Sequence, residues 1–166
     1  MKKLHSLRSA LTAAMDKRHG LDDWSRLQVM ASNLNLVASA RPGSAFQQAY
    51  TIELHFPGFS GDPIEISVPL LLWVQRHQHD LLSAPEASER GIDATFIPLN
   101  AESYDVHIAI QVTENVRFTP RPDGGHDVVY LDEPMPMALE DGPPLHAVYL
   151  DGELILHCEA HPGAGL

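Results

Sequence analysis

The chain has one cysteine, Cys158, so it cannot close an internal disulfide; it suits a reducing compartment such as the cytoplasm, or is indifferent to redox. It has no apolar run near the ~18 residues that a membrane span requires. The first twenty residues, MKKLHSLRSALTAAMDKRHG, open like a secretory leader, but Arg8 and Asp16-Lys17-Arg18 interrupt the apolar block, and the pattern is that of an amphipathic helix. Basic side chains are scarce, 11 against 22 acidic, and the net charge of −11 disfavours a phosphate backbone as principal partner. Also missing are G-x-S-x-G, the P-loop, G-x-G-x-x-G and H-E-x-x-H. No membrane, nucleic acid or cofactor is therefore expected.

What is present is ordinary for a globular chain: 166 residues, 44% apolar and 20% charged, enough to bury one real core. Its centre is Ala49–Leu82. Tyr50, Ile52, Leu54 and Phe56 alternate with Thr51, Glu53 and His55, which predicts a half-buried strand ended by Pro57-Gly58. Leu70, Trp73, Val74 and Leu81 then fall at helical spacing, with Leu71 and Leu72 widening the stripe that should lie on the sheet. Asp62-Pro63-Ile64-Glu65 has the form of a capped helix start. Pro69 leaves two readings open, a turn kinked at Pro69 or a helix that begins there.

Leu4, Leu7, Leu11 and Met15 predict a first helix ending near Lys17-Arg18, with Gly20 as its cap. Leu27–Ala38 reads as a strand whose apolar parity changes, so that a bulge near Ser32-Asn33 keeps one face apolar. Further strands are predicted at Ile92–Leu99 and Tyr104–Val112, with Val116–Thr119 pairing His126–Leu131 across Asp123-Gly124-Gly125. The fold class is α+β: a mainly antiparallel sheet packed by an N-terminal and a central helix, with a C-terminal β-hairpin. Residues 1–131 form the core domain, 132–144 a Pro-rich connector, and 145–166 the hairpin and a short tail.

Asp151-Gly152 between alternating strands is a strong hairpin signal. A two-residue turn would pair Leu150 with Glu153, Tyr149 with Leu154, Val148 with Ile155, Ala147 with Leu156 and His146 with His157. Both faces are largely apolar, so the hairpin must dock, either on its own sheet or on a neighbouring subunit. Tyr149, Leu154, Ile155 and Leu156, with Met135 and Met137 of the connector, are the candidate interface residues. Charge is uneven as well. Residues 1–31 carry six basic and three acidic side chains, a balance of +3, and the remainder five and nineteen, a balance of −14. Such polarity suits subunits that meet head to tail.

Candidates for chemistry are weak. His146 and His157 face each other in the predicted hairpin, but two ligands do not make a zinc site, and Cys158 points to the opposite face. His77 and His79 are two apart on a helix and cannot chelate together, while His55 and His107 fall on the solvent side of strands. Acidic pairs such as Asp22-Asp23 and Glu140-Asp141 lie in connectors. No catalytic or metal-binding residue is assigned, and a small metal-dependent hydrolase is the least favoured function.

The run YTIELHFPGFSGDPIEISVPLLLWVQRHQHDLL resembles the centre of the phage tail completion protein R family of Peduovirus-type contractile tails. The resemblance is carried by Tyr50, Phe59, Gly61, Asp62, Val68, Pro69, Leu71, Trp73 and Asp80, with His79 standing where that family often has proline. It extends to Ser6, Leu7, Arg8, Ala10, Leu11 and Thr12, to Asp105–Val112, and to Tyr149-Leu150-Asp151-Gly152-Glu153-Leu154. It implies a tail-terminator-like protein, not an enzyme, that forms a hexameric ring at the head-proximal tail end. Its implied partners are other copies of itself, the tail tube or sheath protein, and a head–tail connector protein. It would be made in the host cytoplasm and kept in the virion or in a headless, bacteriocin-like tail. A transient tail-assembly adaptor or chaperone is the alternative.

Overall fold

The computed structural model describes residues 1–14, 27–38, 45–82, 91–132 and 147–157. In chain order these form α1 (Lys2–Ala13), β1 (Gln28–Ala38), β2 (Ala45–Phe59), α2 (Pro63–His77), a 3-10 turn (His79–Leu82), β3 (Ile92–Pro98), β4 (Tyr104–Pro120), β5 (His126–Leu131), β6 (Ala147–Leu150) and β7 (Glu153–His157). The α+β architecture is as expected, a five-stranded antiparallel sheet with two helices and a terminal hairpin. Sheet order is β1-β2-β4-β3, and β5 continues along the β4 edge that β3 occupies further back.

One face of this sheet makes the core. Tyr50, Ile52, Leu54 and Phe56 of β2 lie beside Val112, Ile110, Ile108 and Val106 of β4, all buried. Over them pack Leu7 and Leu11 of α1 and Ile66, Leu70, Trp73 and Val74 of α2. The Trp73 indole N–H also donates to Ser6 Oγ at 3.1 Å, which ties the helices together. The expectation that Leu71 and Leu72 rest on the sheet is corrected: both are exposed, because the stripe through Leu70, Trp73 and Val74 already fills the contact.

α2 starts where its sequence says it should. Asp62 accepts the Ile64 N–H at 2.9 Å while Glu65 accepts the Asp62 N–H at 3.0 Å, a capping box. Of the two readings of Pro69, the one in which the helix begins there is corrected: the helix begins at Pro63 and passes through Pro69, which is buried. Gly61, just before the cap, has no room for a side chain, since a Cβ there would meet the Phe59 ring at 2.7 Å and the Glu65 carboxylate at 2.9 Å.

The bulge foreseen near Ser32-Asn33 is present. Ser32 pairs Thr51 and Asn35 pairs Ala49, so β1 holds one extra residue, with Asn33 at φ 54°. Two expectations are corrected. β2 does not stop at Pro57-Gly58 but absorbs them as a second bulge between Phe56 and Phe59, with the Gly58 N–H bound to Asp105 Oδ1 at 2.9 Å. The strands expected at 104–112 and 116–119 are one continuous 17-residue strand. The first helix is described to Ala13, and its expected end at Lys17-Arg18 and Gly20 lies outside the described residues.

Candidate functional site

Length creates the most unusual feature of the molecule. At about 3.3 Å per residue the 17 residues of β4 reach roughly 56 Å, less some for twist. At 1.5 Å per residue the 15 of α2 reach roughly 22 Å and the 12 of α1 roughly 18 Å. The helices cannot cover such a sheet. They cover the half near Val106–Val112 and, at the start of α1, reach Val116 and Tyr130; further out, Leu36 near one edge and Val128 near the other are exposed.

A polar junction marks where the cover ends. Buried Glu114 accepts the Lys3 backbone N–H at 2.6 Å and lies 3.8 Å from the Met1 ammonium, so β4 supplies α1 with the carboxylate cap its own sequence lacks. Burial, reinforced by this carboxylate, drives the Tyr50 phenol well above its ordinary range. Gln78, equally buried, accepts the Thr113 N–H at 3.0 Å and Lys3 Nζ at 2.7 Å, and donates to Asp80 at 2.6 Å. Nearby His77 lies against Trp73, ring centres 5.0 Å apart. Burial holds its proton affinity down, with Arg76, Lys3 and Lys2 adding to the effect. On the exposed side Lys2 pairs with Asp132 and keeps that carboxyl below its usual range.

Beyond the junction the core face continues and its covering thins: Val116 is still buried, and the Met1 ammonium donates to the hydroxyl of its strand partner Tyr130 at 2.8 Å. Leu36 and Ala38 pair with Gln48 and Phe46, which share the parity of Tyr50 and Ile52, so the β1 bulge does return β1 to the core face. Yet Leu36 is 58% exposed. Across the sheet Phe46 and Phe118 have ring centres 6.1 Å apart, Phe118 and His126 5.8 Å, and Val128 beside them is 61% exposed. On the reverse face Val37, Val129 and Leu131 are exposed too. Uncovered apolar surface on both faces of a sheet marks an interaction site more often than a free surface.

The hairpin turns at Asp151-Gly152, with φ of 50° and 87°, as a two-residue turn demands. Its expected register is corrected beyond Leu154. Ile155 bulges, so Val148 pairs Leu156 and Ala147 pairs His157. His157 is therefore not opposite His146, which itself lies outside the described residues, as do Met135 and Met137. Val148 and Leu156 are buried against Ala14 of the same chain and Ile64 and Val68 of α2. Of the residues proposed as an interface, Leu156 thus faces inward at 2% exposure, Leu154 and Ile155 are half-buried, and Tyr149 is 64% exposed.

On the open face of the covered half, His55 and His107 are cross-strand partners whose rings stack with centres 4.1 Å apart. They border a hollow of about 170 Å³ that Met30, Glu53, Asp93 and Thr95 help line. Among the described residues no three metal-ligating side chains converge, and no helix is long and apolar enough to cross a membrane. The uncovered residues Leu36, Val37, Val128 and Val129 were not singled out from the sequence. One signal was available: Gln28–Ala38 contains neither a charge nor a proline, which is rare for a strand at a sheet edge.

Residues 1–134 match the family described as P2 phage tail completion protein R (GpR). Tail completion protein R of Escherichia phage P2 is 28% identical over 155 residues, covering 93% of this chain and 97% of that protein. No solved structure matches.

Proposed function

The chain belongs to the P2 phage tail completion protein R family, and from that premise we propose that it closes the head-proximal end of a contractile tail. Completing a tail is a structural task, and the chain is a structural component of the tail. In this reading a hexameric ring of the protein seats on the last layer of tube or sheath, halts polymerisation, and presents the surface to which a head–tail connector joins. In a headless tail the same ring is simply the end.

The observation that carries this reading is the apolar surface at the outer end of the sheet. Among the described residues Leu36 and Val128 on one face and Val37 and Val129 on the other are exposed, more than a lone copy has use for. A protein whose work is to sit between copies of itself and the end of a polymer needs such surface. Tyr149, Leu154 and Ile155 of the hairpin, with Met135 and Met137, belong to the proposed contact region; Leu156 supports it from beneath, packed on α2.

The test is microscopy of purified tails carrying an epitope-tagged protein. Label at the end opposite the baseplate, together with tails of irregular length when the protein is withheld, is the expected outcome. A protein needed for assembly but absent from finished tails would instead be a transient adaptor or chaperone, and the end-cap reading would fail.

A further inference from the structure

We infer that successive copies of this chain stack face to back, with the cationic outer face of α1 in one copy seated on the hollow beside His55 and His107 in the next. The Arg8 guanidinium enters that hollow between Glu53 and Asp93. The inference rests on the ring proposed above and names a contact that builds it.

Strand register explains why the hollow exists. Met30, Glu53, Ala109 and Asp93 lie in one row across β1, β2, β4 and β3, and the methyl of Ala109 is the shortest side chain in that row. Two strand spacings set the backbones of Glu53 and Asp93 about 10 Å apart across it. The stacked rings of His55 and His107 form a further wall of the space of about 170 Å³, which is lined by described residues. Glu53 accepts the Ser32 hydroxyl, but the exposed Asp93 carboxylate has no partner among the described residues. His55 Nε2 is buried and lacks a hydrogen-bond partner. Two carboxylates and an unsatisfied ring nitrogen beside Met30 and Ala109 fit a flat group with several N–H donors on an apolar stem. An arginine side chain has that chemistry.

Charge points to whose arginine it is. α1 holds Lys2, Lys3 and Arg8 and no acidic side chain, in a chain of net charge −11. Lys2 is engaged by Asp132 and Lys3 by Gln78. Arg8 instead stands exposed beside His5, Ser9 and Thr12, its guanidinium without a partner among the described residues. Two copies repel through most of their acidic surface, and the outer face of α1 laid on this hollow reverses that sign.

Topology gives the direction of stacking. Leu7 and Leu11 hold α1 against the core face, whereas Glu53, His55, His107 and Ala109 have the opposite parity and line the other face. Copies that follow one another in the same orientation therefore meet helix to hollow. The contact is heterologous and closes into a ring when its rotation divides a full turn. Arg117 is also exposed without a partner among the described residues, but it shares the parity of Ala109 and so the face of the hollow. Its entry into a neighbour's hollow would need two like faces turned together, a pair that ends at two copies.

The test is sedimentation velocity on the full-length chain, alone and as Arg8→Glu, as Asp93→Arg, as both together, and as Arg117→Glu. Each single reversal at the contact should weaken assembly at least about tenfold, and the chain carrying both should return to within about threefold of the unaltered one. Arg117→Glu should assemble like the unaltered chain. Both contact residues are exposed in the single chain, so circular dichroism should not change. Should it change, Arg8→Gln and Asp93→Asn take their place, and the two together should be no weaker than either alone. Full assembly of either single variant would overturn the inference, as would a double reversal no better than the worse single one, or a loss in Arg117→Glu with none in Arg8→Glu. Each of these leaves the end-cap reading intact. An unaltered chain that stays monomeric at every concentration would overturn the contact too; whether that chain still labels tail ends decides the function separately.

Discussion

Strands β2 and β4 pass through two environments. In the covered half their alternating Ile, Leu and Val residues meet α1 and α2 and disappear from solvent; in the other half the same parity continues through Val116, still buried, and half-buried Phe46 and Phe118 to Leu36 and Val128, which are exposed among the described residues. The difference is one of reach, because helices of 12 and 15 residues are far shorter than a 17-residue strand. The comparison teaches that apolar alternation encodes a face to be buried without encoding what buries it. In the covered half the chain supplies the partner; in the other, the proposal is that assembly does.

Substitutions should separate the halves sharply. Ile110→Ala removes a fully buried side chain beneath the helices and should cost about 2–5 kcal/mol in urea unfolding, whereas Val128→Ala should fall within about 0.5 kcal/mol. Equal costs would erase the distinction. Gly61→Ala should destabilise by about 1–3 kcal/mol through overpacking against Phe59 and Glu65, read as a lower midpoint with an unchanged denaturant slope. Asp62→Ala removes the α2 cap and should cost about 1 kcal/mol, again in the covered half alone.

A smaller effect lies at the boundary between the halves. His77 in the folded chain has a proton affinity below its ordinary value, so the unfolded chain binds that proton more readily. Its contribution to stability is complete above about pH 6.5 and declines as pH falls from there toward the folded value. The melting temperature should drop across that window, and His77→Gln should flatten the drop. An identical slope in the variant would show that the titration lies elsewhere.

Several of these features were legible in the residues. The parity change between Ala31 and Leu34 forecast the β1 bulge, Asp62 and Glu65 forecast the start of α2, and Asp151-Gly152 forecast the hairpin turn. Errors arose where a local signal had a tertiary answer. Pro57-Gly58 reads as a stop but is held within β2 as a bulge by the Asp105 carboxylate. The hairpin register assumed ideal pairing, and Ile155 slips it by one residue. Leu71 and Leu72 look like core but have no sheet left to touch. The parity change and bulge put Leu36 on the core face, yet no periodicity shows that the helices end before reaching it.

Backbone hydrogen exchange at residues 33–38 and 126–131, compared between the isolated chain at low concentration and the protein in purified tails, tests the central claim most directly. Exposed segments that become interfaces should exchange rapidly in the first state and be strongly protected in the second, with little change at Val106–Val112. Equal exchange of both segments in the two states would contradict the account.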